Sequence, residues 1–328
     1  MTGAQKLFLI TPVLDEAAVL PLFVDQLTKA LGEAGTLAAY QATLVIVDDG
    51  STDGSFALVR ELAARSGPLG ITGVRLSRNF GHQAALHAGL DLAHRNGDAL
   101  THYVVLDADL QHPVRLIPGL LARLTAGIQH VQMVRQDSDD DSLFKQVTSR
   151  GFYALFGMIS DVHVPAGGSD FRGFSHQFLG AYLTLPERGR FNRALFNWLG
   201  FESEEVPYRP DARAAGVSKY SAWRMLRLCF TGFTQFSSRP LIFFLTVLVL
   251  GSLASCVGYI GFEVWRWWNG RQFVLGWPTV IFFITFWGGS LALGQLLLGV
   301  YLSRVFNEVK GRPLYVVREL SEGQAPPG

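Results

Sequence analysis

Three oxygen-bearing side chains, Asp107, Asp109 and Gln111, stand on alternate positions in the stretch Val104 to Pro113, which reads VVLDADLQHP. Two carboxylates and an amide carbonyl are hard ligands of the kind Mg²⁺ and Mn²⁺ prefer. Such ions commonly complete their coordination with a substrate's phosphates. The apolar run Tyr103 to Leu106 just before them reads as a buried strand. At the open end of a strand, alternation would send all three side chains toward one side. A polar turn after a strand has the same composition, so this spacing alone leaves both readings open.

The elements that would position the cluster repeat. Leu7 to Ile10 reads as a strand ending in TPVLDE (Thr11 to Glu16), with helical periodicity behind it through Leu20, Phe23, Leu27 and Leu31. Leu44 to Val47 is a second strand, running into DDGSTDGS (Asp48 to Ser55) and a helix to Arg65. Val74 to Leu76 is a third, followed by SRNFGHQ and a helix over Ala84 to Ala93. The Asp107 strand is the fourth, with a helix over Leu116 to Leu124. Strand then helix, four times, predicts an α/β fold with a parallel sheet covered on both faces. Ligands of such sheets bind beyond the carboxyl ends of the strands, where every one of these polar clusters falls.

Further on, Val131 to Val134 reads as another strand, Asp137 to Ser142 as a solvated acidic loop and Leu143 to Ile159 as a helix. Pro165 to Arg172 is turn-rich, and Leu179 to Leu185 is helical again. Ser321 to Gly328 reads as a disordered tail.

Composition narrows the partners. A net charge of +1 over 328 residues argues against a nucleic-acid binder. Pro240 to Phe262 and Gln272 to Ser303 contain no Asp, Glu, Lys or Arg. Each exceeds the roughly 20 residues that cross a bilayer, which predicts two transmembrane helices, with buried soluble helices as the competing reading. Lys219 to Phe236 carries Trp223, Leu226, Cys229, Phe230 and Phe233 at helical spacing with Arg224 and Arg227 between them. That pattern fits an amphipathic helix on the membrane surface, or a core helix. Arg224, Arg227 and Arg239 precede the first span, and Arg304, Lys310, Arg312 and Arg318 follow the second. Only Arg266 and Arg271 lie between, so both termini are expected in the cytoplasm. The N-terminus, with a lone Lys6 before a short apolar run, reads as a first strand and not a signal peptide. Two cysteines, Cys229 and Cys256, imply no disulfide or zinc framework.

Taken in order, these clusters resemble family 2 glycosyltransferases of the polyisoprenyl-phosphate type, similar to dolichol-phosphate mannose synthases. The residues that carry the resemblance are TPVLDE at Thr11, VDDGSTDGS at Val47, SRNFGHQAALHAGL at Ser77 and LDADLQHP at Leu106. GSDFRGF, LPERGRF at Leu185 and RAAGVSKYS at Arg213 extend it, so that it spans nearly the whole chain. It implies a GT-A domain, Rossmann-like with a mostly parallel sheet, over residues 1–218. An interface helix would follow over 219–238, two transmembrane helices over 239–304, and a cytoplasmic tail over 305–328.

The implied activity is inverting transfer of a sugar from a nucleotide diphosphate, uridine ahead of guanosine, to a polyprenyl phosphate at the cytoplasmic face of the inner membrane. Mg²⁺ or Mn²⁺ would be held by Asp107, Asp109 and Gln111. Asp107, Asp109 and Asp170 would be catalytic. Pro12, Asp15, Glu16, Asp48, Asp49, Asp107 and Ala108 would bind the donor. Arg135, Arg150, Arg172, Arg213, Ser218 and Lys219 would face the acceptor phosphate. A phosphate monoester, with a second pKa of about 6, is already mostly dianionic at pH 7, so it needs cations to position it more than a base to deprotonate it.

The chain departs from the family's pattern at several points. Asp15 stands where the family more often has Asn, His112 where it often has Asp, and Ser175-His176 where an Asp-Arg pair is frequent. Asp170 could orient the acceptor or an arginine, or form a salt bridge with Arg172. His82 and His112, after the third and fourth strands, could touch the donor, although the plainer reading is a loop histidine without a ligand. The rival functions are a transferase acting on another lipid or glycan, and a non-catalytic, membrane-anchored nucleotide-sugar binder. A homo-oligomer is compatible with either.

Overall fold

Gln5–Val13 (β1) is buried from Leu7 onward, because layers of helix cover both faces of the sheet it centres. The computed structural model describes residues 5–65, 67–136, 168–190, 192–211, 239–270 and 276–322. They divide into two compact units, one holding 5–211 with 312–322 and the other 239–311.

In the first unit, β1 leads through α1 (Leu20–Glu33) and the short α2 (Thr36–Ala39) to β2 (Tyr40–Asp48). Then come α3 (Ser55–Ala63), β3 (Gly70–Leu76), α4 (His82–Arg95), β4 (His102–Val105) and α5 (Ile117–Thr125). β1 pairs in parallel with β2 and β4, and β2 with β3. Although these strands are apolar throughout, the period of two still sorts them. Leu7, Leu9, Leu44 and Ile46 join the cluster containing Phe23, Leu27, Phe56 and Leu120, from α1, α3 and α5. Ile10, Val45 and Val47 face α4, and approach so closely that a Cβ on Gly89 would lie 2.6 Å from Ile10.

Beyond β4 the sheet is mixed. β5 (His130–Arg135) and β6 (Gly168–Ser175) pair antiparallel, as do β6 and β4, while β7 (Ser203–Tyr208) runs parallel to β5. The full order is β7-β5-β6-β4-β1-β2-β3-β8. One sheet edge therefore gathers the carboxyl ends of β1 to β5 and β7 with the amino end of β6.

Three features depart from the sequence expectation. The stretch read as turn-rich through Arg172 becomes strand from Gly168, because β6 fills the gap between β4 and β5 and both neighbours satisfy its backbone. β7 was not anticipated; its alternating exposure is that of an edge strand. The chain after the second apolar helix, read as a tail, supplies β8 (Val317–Glu322), which pairs antiparallel with β3 and includes Ser321. Without it β3 would present an unpaired edge.

Between β6 and β7 lie α6 (His176–Leu183), whose N-cap Ser175 Oγ accepts from Phe178 N–H, and α7 (Asn192–Trp198). The acidic run, the helix over 143–159 and the amphipathic stretch 219–236 lie outside the described residues.

The second unit consists of α8 (Arg239–Trp268) and α9 (Trp277–Val309), both long and apolar enough to cross a membrane. Their apolar side chains face outward, Phe243 being 71 % exposed, which is the reverse of a soluble core helix. Trp265, Trp267 and Trp268 cluster at one end of α8 beside the Arg266–Glu263 ion pair, as in an interfacial belt.

Candidate active site

β1 and β2 deliver the first carboxylates. Val13 O accepts from Asp49 N–H, and Ile10 O from Leu106 N–H. By alternation Pro12, which lacks an N–H, therefore falls on the β4 side, beyond that strand's last pair. Asp15 has φ +55, a conformation that Asp and Asn tolerate best after Gly. Its Oδ1 accepts from Thr52 N–H at 2.8 Å, its own N–H donates to Ser51 Oγ at 2.9 Å, and Glu16 N–H donates to Ser55 Oγ at 3.1 Å. Asp53 Oδ2 adds a bond from Ala17 N–H. The loops after β1 and β2 are thus laced together by side chain to backbone bonds.

Asp48 is fully buried, with Oδ1 accepting from Ser51 N–H and Oδ2 lying 3.5 Å from Arg75 Nε. Asp49 reaches the loop after β3, accepting from Phe80 N–H at 2.7 Å and Gly81 N–H at 2.9 Å. Burial still raises its pKa, against those two bonds. Gly50, at φ +80, lets the two loops touch, since a Cβ there would lie 2.7 Å from backbone atoms of Arg78 and Asn79.

The central cluster follows β4. The strand stops at Val105, and the chain turns through Leu110 at φ +63. The alternation expected for Asp107, Asp109 and Gln111 is therefore not strand pleat: Asp109 Oδ1 accepts from Gln111 N–H at 3.0 Å in a side-chain turn, and Ala108 is buried. The half-buried Asp107 carboxylate lies between two histidines, 4.0 Å from His82 Nε2 and 3.7 Å from His112 Nε2. Burial pushes its pKa up while both rings oppose the shift.

Asp170 enters from the amino end of β6. Arg193 of α7 grips it in a fork, Nε to Oδ1 at 3.0 Å and Nη2 to Oδ2 at 3.2 Å, and His82 Nε2 stands 3.5 Å from Oδ2. Despite burial, these cations hold the Asp170 carboxyl well below the usual carboxylate range. Asp170 and Asp107 in turn raise the His82 pKa against the effect of burial.

Of the alternatives for Asp170, the structure shows the one in which it orients an arginine, namely Arg193, and among the described residues no salt bridge joins it to Arg172. Arg172 is 1 % exposed, donates from Nε to Ser169 O, and lies over the Phe196 ring, with Nη1 and Nη2 lacking hydrogen-bond partners among the described residues. Burial lowers its pKa to about 9. Arg135 ends β5 exposed at the sheet edge that carries the other loops. Arg150, Arg213, Ser218 and Lys219 lie outside the described residues.

His82, His112 and Arg193 are the site residues that sequence reasoning undervalued or missed. For Arg193 the only available signal was a lone cation just after the LPERGRF motif. Among the described residues no three His, Cys, Asp or Glu side chains converge as a complete metal cage. Asp107, Asp109 and Gln111 still suit a hard cation that takes its remaining oxygens from a diphosphate.

The sheet with its carboxylate cluster at one edge has the GT-A arrangement, and the same chain carries two helices long and apolar enough to cross a membrane. The sequence profile of glycosyl transferase family 2 matches residues 8–183, more than half of the chain, and the chain belongs to that family. The SfII prophage-derived bactoprenol glucosyl transferase of Shigella flexneri is 32% identical over 322 residues, covering 97% of this chain and 99% of that protein. The prophage bactoprenol glucosyl transferase homolog of Escherichia coli (strain K12) is 32% identical over 97% of this chain and 100% of its own length. Among solved structures, a mannosyltransferase from Pyrobaculum calidifontis in complex with GDP-Man and Mn²⁺ is similar at 16% identity and a TM-score of 0.45. That likeness covers 94% of this chain and 86% of that one.

Proposed function

We propose that this glycosyltransferase moves a sugar from a nucleotide diphosphate, uridine ahead of guanosine, onto a polyprenyl phosphate at the cytoplasmic membrane face, with inversion. The carrying observation is that Asp170 is locked by Arg193 and His82. Its oxygens are committed to cations, which makes it a poor proton acceptor. His82 faces Asp107 and Asp170, which raise its pKa against the effect of burial. Such a site favours an acceptor that arrives ionised, as a phosphate monoester does. The name of the full-length relatives, bactoprenol glucosyl transferase, supports the same acceptor class.

In this reading the loop after β1, backed by the buried Asp48 and Asp49, takes the nucleoside, while Asp107, Asp109 and Gln111 would hold Mg²⁺ or Mn²⁺. When bound, such a cation would neutralise charge gathering on the departing diphosphate. Arg135, with Arg150, Arg213, Ser218 and Lys219, would position the lipid phosphate for attack opposite the leaving group. Asp170 orders the pocket wall between His82 and Arg193. The distribution of arginines and lysines supports cytoplasmic placement of both ends of the helix pair.

The test is to incubate detergent-purified protein with undecaprenyl phosphate, Mg²⁺ or Mn²⁺ and a panel of UDP- and GDP-sugars, reading lipid-linked sugar by mass spectrometry. A metal-dependent product with one donor is expected. Transfer to a glycan or a non-phosphorylated lipid, but not to the polyprenyl phosphate, would overturn the acceptor assignment.

A further inference from the structure

His112 directly follows the carboxylate cluster, and its ring is 8 % exposed with both nitrogens engaged. Nδ1 accepts from the backbone N–H of Asp107 at 2.9 Å, so the ring hydrogen sits on Nε2. Nε2 lies 3.0 Å from Ser169 Oγ on β6 and 3.7 Å from Asp107 Oδ2. Ser169 Oγ also hydrogen-bonds to the Tyr208 hydroxyl at the end of β7, at 3.0 Å, and to Phe171 N–H at 3.1 Å. The Phe171 ring stacks on the imidazole with centroids 5.2 Å apart and planes 15° apart. One ring is thereby fixed to β6 and β7 and to the turn after β4.

Asp107 needs such a support. Its strand has ended, and the left-handed turn at Leu110 removes the pleat that would otherwise orient its side chain. A carboxylate meant to bind a cation gains affinity when its orientation is set before the cation arrives. We infer that His112, held by Ser169 and Tyr208, is a positioning residue that fixes Asp107 in its cation-binding orientation. The inference rests on the metal reading above and adds to it the residue that sets the site's affinity. A histidine in this place brings a second ring nitrogen, through which the turn is coupled to β6 and β7.

The test uses the full-length protein in detergent and reads Mn²⁺ binding directly, by paramagnetic resonance of the free ion, with UDP and separately with GDP. His112→Asn places an amide oxygen near the position of Nδ1, keeping the bond from Asp107 N–H while losing the Nε2 contacts. Its Mn²⁺ dissociation constant should rise about 10-fold, and that of Tyr208→Phe a few-fold. The KM for metal should rise in parallel while kcat at saturating metal falls less, a split that general loosening of the fold would not produce. Wild-type Mn²⁺ affinity in folded His112→Asn overturns the inference. If that variant does not fold, wild-type affinity in Tyr208→Phe overturns it instead. A wild-type protein that binds no Mn²⁺ with either nucleotide overturns the metal reading itself, and the role of His112 with it.

Discussion

On the β1–β2–β3 side of the sheet, Asp15, Asp49 and Asp53 all accept hydrogen bonds from backbone N–H groups of neighbouring loops. On the β4–β6 side, Asp107 and Asp170 sit among His82, His112 and Arg193. The two sets of carboxylates therefore differ in what their charge does. An oxygen that accepts from a backbone N–H mainly ties loops together, and a neutral amide oxygen can replace it. An oxygen facing ring nitrogens or a guanidinium contributes to a local field, and removing Asp170 leaves the Arg193 charge unbalanced. Both sets fall in motifs of similar composition, so acidic residues in a motif are not functionally equivalent merely because they are acidic.

The largest expected effect lies in the central cluster. Asp109→Ala should lower turnover by roughly 10³-fold or more while the protein still inserts and folds, as checked by the lipid-linked sugar assay and by size-exclusion chromatography in detergent. Unchanged turnover would sink the metal assignment.

Histidines sharpen the comparison, because α4 carries two whose surroundings act in opposite directions. His82 faces Asp107 and Asp170, and its pKa rises. His87, against the Tyr182 and Tyr315 rings, is lowered to about 4 by burial and by Arg190. His130, packed against both Phe174 and Phe178, is likewise pushed well below its ordinary value by burial. A neutral buried histidine takes up its proton more readily when unfolded. Its contribution is thus intact above the unfolded pKa near 6.5 and erodes as pH falls toward 4. For His87 alone the loss should reach roughly 3 kcal/mol at pH 4. His130→Phe should flatten the acid limb of a plot of thermal midpoint against pH; an unchanged limb would show that His130 protonation does not contribute.

The Asp170–Arg193 fork tests the β4–β6 side more locally. Arg193→Met should cost about 2 kcal/mol, below the 3–5 of a fully buried pair because Arg193 is 35% exposed. Adding Asp170→Asn should restore most of that stability but not turnover. Full recovery of turnover in the double variant would reduce the pair to a structural brace.

How much of this was legible in the sequence follows from how local each signal is. β1 to β4 and their polar loops announce themselves through apolar runs stopped by Asp, Gly and Ser, and the Gly50 turn is written into Asp49-Gly50-Ser51 itself. β6 could not be read because Arg172 and two glycines interrupt its pattern, and what makes it a strand is pairing with β4 and β5, distant in sequence. β8, reading Val317–Glu322, is half charged and lies at an edge, where apolar periodicity is weakest. The Arg193 fork joins residues on different elements, and no spacing rule reaches across that distance. Residue types at the site were therefore visible in advance, whereas their partners were not.

The smallest expected effect is the most discriminating for the β1–β2 side. Asp15→Asn preserves an Oδ1 acceptor for Thr52 N–H and a residue that tolerates φ +55, so stability and donor KM should both stay close to wild type. Asp15→Ala keeps neither, and should cost about 1–2 kcal/mol from the lost bond and the strained backbone. Differential scanning fluorimetry and donor titration on the two variants separate the roles. If Asn behaves like Asp and Ala does not, the side chain acts as a loop tie whose charge is dispensable, and the base and ribose are left to Asp48 and its neighbours. If Asn raises the donor KM several-fold with an unchanged midpoint, the negative charge itself meets the nucleotide, and the division between loop-tying and field-setting carboxylates fails at its first residue.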